Sequence, residues 1–267
     1  MAATLRETSP AAGETTLRHD RNQLVQVLTF DFHNTLANCD RWFHLEIRDL
    51  PWAVRERLGL DAGPDQAAFE QAYRSLRLGV IESGNEIDAT ASVVRIFDEL
   101  GVSAPTTEIE RAIDGLMREA IEEMQPVPGA VETVRALHGS GLPLGVVSSA
   151  VHHQTLEWIL AEMEVLDCFE RIVTSASSGY YKSTPAIYAA ALADLGGTAA
   201  QSVHVGDSLR WDVQTAQQAG LTAVWLQTER REVFNREQPD VTPALTLSSL
   251  VGAAPKIQAV LETVAAS

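Results

Sequence analysis

Positive charge is what this sequence has least of. Lysine occurs twice in 267 residues, as Lys182 and Lys256, and 20 lysines and arginines stand against 36 aspartates and glutamates. A formal charge of −16 argues against nucleic acid as partner, because phosphate backbones are held by many Lys and Arg side chains. Cysteine is also scarce: Cys39 and Cys168 make no disulfide framework, and no metal-thiolate spacing surrounds Cys39. No apolar run approaches membrane-spanning length, and the N-terminus has no basic-then-apolar signal. These absences give the expectation of a cytoplasmic protein with no membrane and no nucleic-acid partner; oligomeric state is silent. Internal repeats are absent as well. An anionic substrate would be repelled by the long-range field of such a chain, so binding has to come from a local cation: a metal ion, Lys182 or an arginine.

The composition that remains, 45% apolar and 21% charged, is that of a globular protein long enough for a core with an insertion. The apolar run from Leu24 to Phe30 ends abruptly at Asp31 and a small polar cluster, as a buried parallel strand does. Residues 1–22, rich in Ala, Thr, Glu and Gly without periodicity, read as a loose tail. From 38 to 125 the spacing predicts helices and no strand, over Arg41 to Leu58, Asp65 to Arg77, Glu86 to Leu100 and Thr106 to Met124. Pro51 should break or restart the first. After Pro128-Gly129, strands alternate with helices: Leu144 to Val147, Arg171 to Thr174, Ser202 to Val205 and Thr222 to Leu226, with a last strand and helix between Ala244 and Val264. That alternation predicts an α/β fold, a doubly wound parallel sheet with right-handed crossovers. Residues 23–37 and 126–267 then form the core, and 38–125 a helical insertion.

Four polar sites follow four different β-segments: Asp31 with His33, Ser148 with Ser149, Lys182, and Asp207 with Asp212. Loops at one edge of a parallel sheet converge, so these groups can share a crevice. A carboxylate nucleophile, a hydroxyl donor, a fixed cation and further acids suit phosphoryl transfer, with a hard cation such as Mg²⁺ held by one or two carboxylates. The competing readings are structural. Asp31 could cap its turn, Asp207 and Asp212 could start a helix, Ser148 could cap one, and Lys182 could be an exposed lysine.

Asp31-Phe32-His33-Asn34-Thr35-Leu36, Val146-Val147-Ser148-Ser149, Lys182 before Pro185, and Gly206-Asp207-Ser208-Leu209-Arg210-Trp211-Asp212 resemble the four ordered motifs of the haloacid dehalogenase-like (HAD) hydrolase superfamily. The resemblance spans roughly Leu24 to Leu250. It implies a Rossmann-like core with the first strand central, and a helical cap where residues 38–125 stand. It further implies Asp31 as nucleophile, and Mg²⁺ bound by Asp31, the backbone carbonyl of His33 and an acid of the last motif, Asp207 or Asp212. Ser148, Ser149 and Lys182 would bind the phosphoryl group, and the substrate would be a small phosphorylated metabolite.

One position departs from that pattern. Family phosphatases usually carry a second Asp two residues after the nucleophile as acid/base; here it is His33. Three mechanisms stay open: His33 as acid/base, a leaving group acidic enough to need little protonation, or carbon-halogen cleavage. The last is opposed by the presence of both Asp207 and Asp212. A non-catalytic relative that binds a phosphorylated ligand is a further alternative. Elsewhere structural roles are expected: His204 as a core histidine, His152 and His153 at a helix start, Trp42, Phe43 and His44 in cap packing, and Glu119, Glu122 and Glu123 on a solvated face.

Overall fold

The computed structural model describes residues 25–61, 63–228 and 240–266. The tail expected over 1–22 lies outside them.

The first strand, β1 (Val25–Phe30), leads through a tight turn to β2 (Ala37–Asn38), which opens a helical insertion. Its helices are α1 (Asp40–His44), α2 (Leu50–Arg57), α3 (Gln66–Ser83), α4 (Ala89–Leu100) and α5 (Thr106–Ile121). A π-helical turn, Leu45–Asp49, joins α1 to α2, and Pro51 sits in the first turn of α2, where a missing N–H does no harm. Asp65 and Asp88 cap α3 and α4 by accepting the backbone N–H groups of Ala68 and Ala91. The insertion closes at β3 (Gln125–Pro126), which pairs antiparallel with β2. No strand was expected in this stretch. Two residues carry no periodicity, and the pairing joins positions far apart in sequence.

The chain then runs through α6 (Ala130–His138), β4 (Leu144–Ser148), α7 (His153–Glu162), β5 (Arg171–Thr174), α8 (Ser175–Ser178) and α9 (Ala186–Leu195). It continues with β6 (Gly197–Gly206), a π-helical stretch Leu209–Gln214, α10 (Thr215–Gln218), β7 (Thr222–Leu226), β8 (Leu245–Leu247) and α11 (Ala254–Ala265). The six long-range strands form one parallel sheet in the order β5-β4-β1-β6-β7-β8, so β1 is central, hydrogen-bonded to β4 and β6. This is the Rossmann-like α/β core with an inserted helical cap.

Alternation along β1 sorts the two faces. Leu28 and Phe30 pack with α6, α7 and α11, whereas Val27 packs with α9 and the stretch after β6. Both faces are covered, which is why the strand reads as a continuous apolar run. Gly129 caps the start of α6, just after the chain re-enters the core. Its φ is +83°, and a Cβ there would overlap the backbone of Leu250 and Val251. No described helix is long and apolar enough to cross a membrane.

Candidate active site

At the carboxyl edge of the sheet, β1 delivers Asp31. Its backbone N–H still donates to the Val205 carbonyl (2.8 Å), so the residue is fixed by the sheet one step past the strand. The chain then turns through Asn34 at φ +64°, a conformation asparagine tolerates better than most residues. That turn brings Thr35 Oγ1 back to donate to Asp31 Oδ2 at 2.9 Å. The other oxygen, Oδ1, accepts from Lys182 Nζ at 2.6 Å.

Lys182 reaches Asp31 from the loop between α8 and α9, and the same ammonium donates to Asp212 Oδ1 at 2.7 Å. The lysine is 3% exposed. Its backbone N–H donates to Ser149 Oγ at 3.3 Å, which links the second polar site to the third. Asp212 takes further donors: Ser208 N–H on Oδ2 (2.8 Å) and His204 Nε2 on Oδ1 (3.3 Å). The carboxylate lies directly against the end of β6, and a Cβ on Gly206 would overlap it. Glycine is required there by close approach, not by backbone torsion.

His204 is the buried histidine the sequence implied, with Nδ1 against Thr29 Oγ1 (2.8 Å) and its ring edge-on to Tyr188. Its contact with Asp212 was not anticipated, because an apolar-flanked histidine in a strand carries no signal of what its ring meets. Cys39 is structural, its thiol donating to the Ala120 carbonyl.

The charges respond to burial and to each other. Burial raises the Asp31 carboxyl, the Asp212 charge pushes it further, and Lys182 only partly restores it. Burial would raise Asp212 too, but the ammonium and the His204 contact outweigh it and the net direction is down. Lys182 moves up, since its two carboxylate partners exceed its desolvation. Burial pushes His204 down, toward neutral imidazole.

Asp207 completes the group. Its carbonyl accepts from Trp225 Nε1 (3.0 Å), and oxygens of Asp31, Asp207 and Asp212 all lie within 4.8 Å of one another. Three buried carboxylates around one ammonium carry a formal excess of two negative charges. That donor set, all hard oxygen, fits a divalent cation of the Mg²⁺ type.

All the sequence-predicted groups, Asp31, His33, Ser148, Ser149, Lys182, Asp207 and Asp212, line one cavity of about 340 Å³. His33 stacks on Phe43 of α1 at 4.6 Å between centroids, and the Asn34 side-chain amide lies 3.2 Å from its Nδ1. The opposite wall comes from the cap: Trp42, Phe43, Glu46, Ile47, Arg74, Arg77, Leu78 and Ile81, with Tyr181 and Trp211 at the sides. Trp42 and Phe43 thus pack the cap and also face the cavity. Arg74 escaped the sequence reading as a wall residue, since a charged residue in a helical pattern ordinarily marks solvent.

A family model described as haloacid dehalogenase-like hydrolase matches residues 25–220. The chain belongs to this family. It is similar to a glyceraldehyde 3-phosphate phosphatase of Pyrococcus abyssi, 25% identical over 76% of this chain and 81% of the relative. Among solved structures, a 2-haloacid dehalogenase from Pseudomonas syringae shares the fold of this HAD-like hydrolase, with a TM-score of 0.65 at 20% identity over 88% of this chain and 99% of that one. So does the HAD-hydrolase YfnB from Bacillus subtilis, described as bound to magnesium, with a TM-score of 0.56 at 18% identity over 90% and 99% of the two chains.

Proposed function

We propose that this HAD-like hydrolase is a Mg²⁺-dependent phosphatase of a small phosphorylated metabolite, acting in the cytoplasm through an aspartyl-phosphate intermediate. The observation that carries the reading is the buried group Asp31, Lys182, Asp207 and Asp212, a nucleophile beside one cation and an excess of hard oxygen donors. Phosphatases among the relatives and a magnesium-bound structural neighbour point the same way. Carbon-halogen cleavage needs no such donor excess, because halide leaves without a proton or a dianionic phosphoryl group to neutralise.

Asp31 and Asp207, with the backbone carbonyl of His33, would hold the metal, with Asp212 beside them. Asp212 accepts from Lys182, His204 and Ser208, and so positions Lys182 as well. The bound cation supplies charge neutralisation on the phosphoryl oxygens. An Asp31 oxygen attacks phosphorus, the ester P–O bond breaks, and its electron pair leaves on the alkoxide oxygen, which takes up a proton. Water then attacks phosphorus, loses a proton, and frees phosphate and the Asp31 carboxylate. Ser148 donates to an equatorial phosphoryl oxygen and Lys182 offsets its charge. His33 as imidazolium would give that oxygen its proton, and as the neutral imidazole left behind would take the proton the attacking water loses. Residues 38–125 act as the cap that covers the reaction.

Phosphate release from a set of small phosphate esters, with Mg²⁺ and with chelator, tests the reading. Turnover is expected only with metal, and Asp31→Asn is expected to abolish it. Activity that persists under chelation removes the metal from the mechanism, and an active Asp31→Asn protein contradicts the nucleophile. In melting experiments Mg²⁺ should raise the Tm of the native protein and fail to raise that of Asp207→Asn.

A further inference from the structure

One acid in the cavity wall plays no part in the chemistry above. Glu46 belongs to the π-helical turn Leu45–Asp49, a rare geometry that recurs at functional sites, and it lines the cavity that holds Asp31 and Lys182. It is 4% exposed. Its Oε1 accepts the backbone N–H of Val151 at 3.1 Å, in the loop just beyond Ser148 and Ser149. A cap carboxyl is therefore held by the segment that also carries the phosphate-binding serines. Tyr73 fixes the same turn by donating to the Glu46 carbonyl at 2.9 Å.

The nearby cation is committed elsewhere. Arg77 grips Glu86 through two hydrogen bonds of 2.6 and 3.0 Å, and among the described residues it makes no ion pair with Glu46. Burial pushes the Glu46 carboxyl up to about 8; Arg77 opposes this, Glu86 adds to it, and the Val151 and His152 amides oppose it. Tyr73 and Tyr181, the other titratable groups beside it, are raised by burial and stay neutral phenols at working pH. At neutral pH the group is a carboxylic acid whose Oε1 accepts from Val151, with the His152 amide also beside the carboxyl, and whose O–H is a donor.

We propose that Glu46 is a specificity-determining residue of this site: its carboxyl, set against the Val151 amide, donates a hydrogen bond to an oxygen of the leaving group away from phosphorus. The inference rests on the phosphatase reading and names the class of substrate, a phosphate ester of a small polyol or hydroxycarbonyl compound. An ionised Glu46 would set a negative charge against an anionic substrate, and a lone pair against any leaving-group oxygen that carries no proton. A donor in this position also explains why an acid is tolerated in the wall of a site that binds anions.

The test compares a small polyol phosphate, glycerol 3-phosphate, with phenyl phosphate, whose leaving group has no second oxygen, in the Mg²⁺-loaded full-length enzyme. Glu46→Gln keeps a donor and the acceptor for Val151, and Glu46→Leu removes both. Expected for glycerol 3-phosphate is a KM that rises about tenfold in the native enzyme from pH 7.5 to 9, stays flat in Glu46→Gln, and is high at every pH in Glu46→Leu. With phenyl phosphate the three proteins should have similar KM values at pH 7.5. A Glu46→Gln enzyme that reproduces the alkaline rise overturns the proposal, as does a Glu46→Leu enzyme whose KM changes equally for both esters. Release of phosphate from neither ester by the native enzyme overturns the phosphatase reading instead.

Discussion

Lys182 and Glu46 show how far apart two buried charged residues can be in legibility. Lys182 was readable because lysine is so rare here and because it falls before Pro185, after a β-segment. Its partners Asp31 and Asp212 followed from the same edge-of-sheet argument, and the ion pairs of 2.6 and 2.7 Å join all three. The burial of Glu46 was not readable, since its environment is made by Val151, Arg77 and Glu86, residues scattered through cap and core. That environment has a consequence for stability as well as binding. Its carboxyl titrates near its ordinary value in the unfolded chain and at about 8 in the fold, so the native state binds the extra proton between those values. Stability from this group is complete below pH 4.5, the ordinary value, and is lost as pH rises through 8. Glu46→Gln should accordingly melt close to the native protein at pH 5 and at a higher temperature at pH 9. Melting curves at the two pH values check this, and equal shifts at both would refute it.

At the scale of elements, the sheet was legible because each strand is a short apolar run buried on both faces and closed by a polar turn. The helices of the insertion were legible from their three-and-four spacing, although α3 runs on to Ser83, beyond the expected Arg77, and stops at the left-handed Gly84. The β2–β3 pair and the π-helical turns were not, because two-residue pairing and a single widened turn leave no periodic trace. Two glycines hold the elements in register for different reasons. At Gly129 both a positive φ and backbone neighbours exclude a side chain, so Gly129→Ala should cost about 2 to 4 kcal/mol in denaturant unfolding. At Gly206 the nearest conflict is with the Asp212 side chain. Gly206→Ala should cost about 1 to 3 kcal/mol. It should lower kcat by about a hundredfold, because Lys182 loses its anchor. A Gly206→Ala enzyme with native kcat would show that Asp212 does not position Lys182.

Over the whole molecule, the charge of −16 and the shortage of lysine put weight on the few cations that face the cavity. The family and the fold were legible because four short motifs fall in order on the strand ends where a parallel sheet gathers its chemistry. The substrate was not, because its surroundings come from cap helices whose facing residues depend on how the insertion folds back. The chain of contacts from Asp31 through Lys182 to Asp212 ties the ends of β1 and β6 to the loop before α9. Such a seam has no intact half: pulling any one of these segments away strands a charge inside protein, a state strongly disfavoured. Heat inactivation and loss of the native fold should therefore follow a single curve, and a partly melted form that still hydrolyses its substrate would be incompatible with a centre stitched this way.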